Sequence, residues 1–327
     1  MNSYEQLDDQ VILLTGGTGS FGRAFVKEVL QKSSATIRIF SRDELKQHDL
    51  SLELENYNDR IRFFLGDVRD KPRLTRAAKG ANILIHAAAL KQVPACEYNP
   101  FEAVQTNVVG AENVVDAAID AQVAKVIAVS TDKAVNPVNL YGATKLCAEK
   151  IIVQGNAYAS RSETKLSCVR YGNVVGSRGS VLPLFLKQKA SGCFTITDTR
   201  MTRFWITLPQ AVELVITALS IMKGGEIFIP KIPSMKVTDL ARAISPDAKQ
   251  NVVGIRAGEK LHEILLTSEE SRHAVERDGM YVIFPEHPWW GVDRSDENDI
   301  ALPEGMVYSS DSNEHWLTSK EIETLIR

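Results

Sequence analysis

The sequence predicts a doubly wound α/β fold: a mostly parallel sheet with helices on both faces, followed by a smaller C-terminal lobe. Three observations carry that prediction. Short runs rich in Val and Ile alternate with helix-like segments through the first half of the 327-residue chain. Most of those runs lack the polar–apolar alternation of a half-exposed strand, which suits strands buried on both faces. A glycine-rich turn separates the first run from the first helix-like segment. At about 150 residues per domain the length fits about two domains. Hydrophobic residues at 44% and charged residues at 24% exclude disordered and collagen-like classes.

In chain order, strands are expected at 11–15, 36–40, 61–65, 82–86, 125–130 and 165–170. Helices are expected between them at 21–30, 44–56, 72–79, 103–121 and 141–159. After residue 172 Pro and Gly become frequent and the periodic segments shorten. The division expected is therefore 1–172 as a dinucleotide-binding domain and 173–327 as a substrate lobe, part of which returns to the sheet. Residues 286–305 are mostly polar, carry Pro288 and Pro303, and are expected to be loop. The apolar stretch 211–222 contains Glu213 and reads as an amphipathic helix. No run approaches the ~18 apolar residues of a membrane span, and the polar N-terminus lacks the basic start and apolar run of a secretory signal.

A net charge of −3 and a pI near 6.1 leave no basic footprint for nucleic acid. Cys96, Cys147, Cys168 and Cys193 form no C-x-x-C, and the six His have no metal-ligand spacing. Neither a metal site nor a disulfide framework is expected, and a cytoplasmic location is the expectation.

The turn reads Gly16-Gly17-Thr18-Gly19-Ser20-Phe21-Gly22. In a strand–turn–helix context, glycines let the backbone approach a pyrophosphate, and the helix start offers unpaired N–H groups and partial positive charge. This is the phosphate loop of a Rossmann domain. Where an NAD enzyme often places an acid after the second strand, this chain has Ser41-Arg42-Asp43, with Lys46 nearby. Ser41 and Arg42 suit a 2′-phosphate, so NADP is favoured; the competing reading has Asp43 bind the ribose. Asp67 and Val68 after the third strand suit the adenine. Ala87, Ala88 and Ala89 after the fourth let a cofactor pass close, and Lys91 beyond them can face either ligand.

The fifth strand ends in Ser130-Thr131-Asp132-Lys133, at the sheet edge where open α/β sheets bind ligands. Eight residues on, Tyr141 and Lys145 stand at i and i+4 on one helix face. A nearby ammonium favours a phenolate, which makes Tyr141 a candidate base for a hydroxyl proton during hydride transfer, with Lys145 as the expected ammonium.

These motifs resemble the extended short-chain dehydrogenase/reductase superfamily. Together with Ser41–Glu44, Thr131-Asp132-Lys133, Asn136-Pro137, Tyr171–Val174 with Gly176–Ser180, Met201–Trp205 and Gly258–Glu263, they resemble the inverting UDP-N-acetylglucosamine 4,6-dehydratase family over nearly the whole chain. The resemblance implies UDP-N-acetylglucosamine as substrate, a place at the first step of pseudaminic acid synthesis, and a homo-oligomer, often a hexamer. It implies Lys133 as base at carbon 5, Asp132 as acid to the leaving 6-hydroxyl, and Thr131 bonded to the 4-hydroxyl beside Tyr141. As a base Lys133 must be partly neutral, with burial and Lys145 expected to help. Asn173, Val181, Thr195, Arg203, Arg256 and Glu259, with Lys91, are the expected sugar-nucleotide contacts, and the His262–Glu263 pair is expected to be structural. The family usually has Pro at the position of Ala257, and His is common at that of Gln92. A UDP-hexose 4-epimerase shares the cofactor loop, Tyr and Lys but needs no Asp132-Lys133 pair. A retaining 4,6-dehydratase commonly shows Met in place of the tyrosine. A cofactor-sensing protein often loses Tyr or Lys of the pair.

Overall fold

The computed structural model describes residues 3–159, 163–177, 180–287 and 296–326. Its first half runs β1 (Val11–Thr15), α1 (Ser20–Lys32), β2 (Thr36–Ser41), α2 (Glu44–Glu53), β3 (Ile61–Leu65), α3 (Lys71–Ala78), β4 (Ile83–His86), α4 (Val93–Tyr98), α5 (Pro100–Val104), α6 (Gly110–Asp120), β5 (Lys125–Thr131), α7 (Leu140–Tyr158) and β6 (Lys165–Tyr171). The second half runs β7 (Asn173–Val174), α8 (Val181–Gln188), β8 (Cys193–Ile196), β9 (Thr202–Ile206), α9 (Leu208–Ile221), β10 (Ile227–Pro230), β11 (Ser234–Lys236), α10 (Val237–Ile244), β12 (Lys249–Val252), β13 (Ile264–Leu266), β14 (Ala274–Arg277), β15 (Met280–Ile283), β16 (Ile300–Ala301), β17 (Tyr308–Ser309) and α11 (Ser319–Ile326).

The main sheet has the order β16-β14-β15-β10-β6-β5-β4-β1-β2-β3. From β3 to β10 every pair is parallel; β15, β14 and β16 add an antiparallel edge. Strand order reverses between β1 and β4, so a crevice opens beyond their carboxyl ends. The chain beyond residue 172 thus supplies four sheet strands. A second apolar cluster, including Phe185, Phe194, Trp205, Leu240 and Ile322, packs beneath α8, α10 and α11. Among the described residues no helix is long and apolar enough to cross a membrane. α9, the expected amphipathic helix, buries Val212, Val215 and Leu219 against the main core and starts with a Thr207–Gln210 capping box.

Two expectations need correction. The single helix at 103–121 is interrupted: α5 passes through a π turn at Gln105–Val109 before α6. Asn107 explains the break, because its amide holds both Leu90 N (2.8 Å) and Leu90 O (2.9 Å) and reaches Thr144 Oγ1 (3.0 Å); a π turn is a common way to aim one side chain. The expected loop at 286–305 carries β16, paired to β14; Pro288, like Arg178 and Gly179 of the glycine–serine motif, lies outside the described residues.

Candidate active site

The phosphate loop is built by close backbone approach. Gly16 has φ +71°, and a Cβ there would lie 2.8 Å from the backbone of Ala87 and Ala88. A Cβ on Gly22 would come within 2.5 Å of Gly17 Cα. The two glycines therefore let α1 start directly against the turn, beside the alanines of β4's exit. Gly19, the N-cap, makes no side-chain cap bond, and Ser20, Phe21 and Gly22 at the start of α1 line the crevice. Thr18 is buried, and half-buried Phe21 packs on the core near Phe25. Thr15 Oγ1 and His86 Nδ1 (2.8 Å) tie β1 to β4 beneath this floor. Burial, aided by Lys145, pushes His86 down to about 3, so it stays neutral.

At the β2 exit, Asp43 caps α2 by accepting from Lys46 N (2.9 Å), and it also pairs with the Lys46 ammonium. Ser41 Oγ accepts from Gln47 Nε2 (2.9 Å). Arg42 is half exposed, with Nη1 3.6 Å from Asp67. Burial works against the Asp67 carboxylate, but Arg69 donates to it at 2.9 and 2.7 Å and holds it below the usual range. Val68 is buried under Gly110, and its carbonyl accepts from Asn113.

A cleft of about 380 Å³ is lined by Gly16, Gly19, Ser20, Phe21, Gly22, Ala87 and Ala89 on one side and by Ser130, Thr131, Lys133, Tyr141 and Lys145 on the other. Ser130 Oγ is buried and has no partner among the described residues. A second cleft of about 560 Å³ shares Lys91, Lys133 and Asn173 with the first. All seven expected sugar-nucleotide contacts, Lys91, Asn173, Val181, Thr195, Arg203, Arg256 and Glu259, line it. Thr18, Ser41, Arg42, Asp43, Lys46, Asp67, Val68, Ala88 and Asp132 line neither cleft.

Of the expected acid–base residues, Lys133 lines both clefts and Thr131 and Tyr141 line the first. Asn139 caps α7, accepting from Gly142 N at 2.8 Å. A Cβ on Gly142 would fall 2.1 Å from Lys133 O, so glycine lets α7 lie directly on the Asp132–Ala134 turn. That contact brings Tyr141 to the dyad. Asp132, fully buried, accepts from Thr131 Oγ1 (2.9 Å) and Lys133 Nζ (3.0 Å), while its Oδ2 has no partner among the described residues. Lys133 Nζ also reaches Asn173 Oδ1 (3.3 Å) and Glu263 Oε1 (3.5 Å). Lys145, buried, donates to Val129 O at 2.8 Å.

The electrostatics correct three expectations. Burial pushes Tyr141 up to about 12, and Asp132 adds to this; the ammonium that pulls it back is Lys133, not Lys145. Burial lowers Lys133, but Asp132 and Glu263 together outweigh it and hold the ammonium above its ordinary range, against Arg203 rather than Lys145. Burial raises Asp132, and Glu263 adds to that. The dyad's proton therefore rests on Lys133, one 3.0 Å hydrogen bond from a carboxylate that burial makes a better acceptor. Glu263, expected to be structural, instead reaches Lys133. His262 does brace the fold, through Thr202 Oγ1 at 2.8 Å.

Arg203 is mostly spent on backbone, donating to Thr202 O, Leu261 O and Lys260 O. Thr195 Oγ1 accepts from Gln188. Exposed Arg256 stands 3.7 Å from Glu259 Oε1, while Glu259 Oε2 is buried with no partner among the described residues.

Residues 12–285 match the family model described as polysaccharide biosynthesis protein. The chain is 49% identical over 324 residues, 96% of both chains, to the inverting UDP-N-acetylglucosamine 4,6-dehydratase of Campylobacter jejuni strain 81-176. It is 45% identical to the UDP-glucose 4-epimerase of Rickettsia akari, over 84% of this chain and 83% of that protein. Among solved structures, that of Pen from Bacillus thuringiensis superposes with a TM-score of 0.90 at 40% identity, covering 98% of each chain.

Proposed function

The chain belongs to the polysaccharide biosynthesis protein family, within the extended short-chain dehydrogenases/reductases that include the inverting UDP-N-acetylglucosamine 4,6-dehydratases, and from that premise we propose that it removes water from UDP-N-acetylglucosamine with inversion at carbon 5. The product is UDP-2-acetamido-2,6-dideoxy-β-L-arabino-hex-4-ulose. One observation carries the reading: Lys133, which lines both clefts, is joined at 3.0 Å to fully buried Asp132, and Tyr141 lines the first cleft with it. Epimerisation at carbon 4 needs Tyr141 but no second acid–base pair.

A dinucleotide fits the first cleft, because Gly16, Gly19 and Gly22 line it without side chains and Ser130 Oγ is buried on its wall with no partner among the described residues. A bound nicotinamide, held by the Gly16–Gly22 turn, Ser130 and Lys145, would supply hydride transfer out of carbon 4 and back to carbon 6 with no net reduction. Tyr141 takes the 4-hydroxyl proton, with Thr131 bonded to that hydroxyl. Oxidation at carbon 4 acidifies carbon 5, because its carbanion becomes an enolate. Transfer of the dyad's proton from Lys133 Nζ to Asp132 would arm both groups at once: a neutral amine to take the carbon 5 proton and a neutral acid to protonate the departing 6-hydroxyl. Asn173, Val181, Thr195, Arg203, Arg256, Glu259 and Lys91 hold the sugar nucleotide in this reading.

By the same reading the cofactor is NADP, its 2′-phosphate taken by Ser41 and Arg42. Arg42→Ala should therefore weaken NADP far more than NAD, by about tenfold or more for one lost charge-assisted contact; equal losses in titration calorimetry would contradict it. The reading also places the enzyme at the first step of pseudaminic acid synthesis and in a homo-oligomer. Tyr98, Phe101 and Tyr158, each more than 80% exposed, offer aromatic surface for such an assembly. The activity test is direct. Incubation with UDP-N-acetylglucosamine should give a product lighter by one water in mass spectrometry. An isomer of unchanged mass would make this chain an epimerase.

A further inference from the structure

Glu263 is the group the dehydration scheme leaves unused. It is 2% exposed and sits just before β13, its N–H accepted by Ser310 Oγ (2.9 Å) and its carbonyl accepting from Ser310 N (2.8 Å). Its carboxylate lies among three cations: Lys133 Nζ at 3.5 Å, Arg203 Nε at 3.7 Å and Lys260 Nζ at 3.5 Å. Lys260 in turn donates to Val135 O (2.5 Å) and Asp132 O (3.4 Å), so it clamps the turn that carries the dyad. A buried carboxylate costs several kcal/mol unless it is paired, and here every ionic partner borders the reacting pair.

We propose that Glu263 is the positioning residue of the Asp132–Lys133 dyad: its charge keeps the dyad's one proton in the site and aims Lys133 Nζ between Asp132 and the second cleft. The inference rests on the dehydratase reading for its purpose but not for its test. The charged groups facing Lys133 are Asp132 on its own turn, Glu263 before β13 and Arg203 on β9; Tyr141 on α7 and Asn173 on β7 are the neutral ones. Removing the Glu263 charge should lower the proton affinity of Lys133. Removing Lys260, which partly neutralises Glu263, should raise it.

The readout is the rate at which acetic anhydride acylates Lys133 in the full-length protein at one mildly alkaline pH. Peptide mass spectrometry follows that rate, normalised to exposed lysines. Only the free amine reacts, and an opposite charge this close shifts a pKa by about 1–3 units. Glu263→Gln should therefore label at least about tenfold faster than wild type, Glu263→Asp close to wild type, and Lys260→Met several-fold slower. A structural role would not separate Gln from Asp. Equal labelling of the Gln and Asp variants, or faster labelling of Lys260→Met, would overturn the proposal. If Glu263→Gln does not fold, Lys260→Met still decides the sign. A wild-type enzyme that leaves UDP-N-acetylglucosamine unchanged in mass would sink the dehydratase reading and leave the labelling result standing.

Discussion

Tyr141→Phe is expected to keep the fold and the nucleotide cleft while turnover falls by about 10²- to 10⁴-fold, the usual cost of one positioned acid–base group. The substitution removes a single oxygen. The ring stays packed with Cys96 and Ala103, and α7 keeps its Asn139 cap and the Lys145 bond to Val129 O. What is lost is a phenol held protonated, at about 12, by its own burial. Since the working form is the conjugate base, turnover through Tyr141 should rise with pH as the phenolate fraction grows. The Phe variant should lose that rise. Circular dichroism and dinucleotide titration unchanged from wild type, with product formation nearly abolished, would match this account. Turnover close to wild type would remove Tyr141 from the base role.

Much of this site was legible because its chemistry is written in short segments. The glycine turn, the strand end at Ser130–Lys133 and the Tyr141/Lys145 spacing are each local, and the parallel order of β3 through β10 follows from strand–helix alternation. What was hidden is long-range. Which ammonium faces Tyr141 depends on α7 lying against the Lys133 carbonyl, a contact made possible by Gly142. The i, i+4 rule puts Tyr141 and Lys145 on one helix face but does not say where each head group goes, and Lys145 turns to the β5 backbone. Glu263 is 130 residues from Lys133 in sequence, and nothing in its neighbours marks it as an ion-pair partner rather than a brace. The π turn at Gln105–Val109 was hidden for the same reason, since Asn107 is drawn to Leu90 and Thr144.

Lys133→Ala is expected to separate oxidation from dehydration. Tyr141 and the nucleotide cleft remain, so carbon 4 can still lose hydride, and reduced nicotinamide absorbance should appear once per site and persist. Without Nζ the scheme loses its carbon 5 base, because Arg203 and Lys260 are cations and Asp132 serves as the acid to the 6-hydroxyl. In deuterated water the wild-type product should carry deuterium at carbon 5, and its ring couplings should report the L-arabino configuration. Inversion requires that a proton return to the face opposite the one it left. That return comes from water or from Lys133 once the planar enone has shifted. The variant should show no carbon 5 exchange and a loss of dehydration of at least about 10²-fold. The two measurements fail independently. A D-xylo product from the wild type would remove the inverting assignment while leaving Lys133 as base. Undiminished carbon 5 exchange in Lys133→Ala would remove the lysine from the proton transfer. Asp132, raised by burial and by Glu263, would then be the group left to carry it.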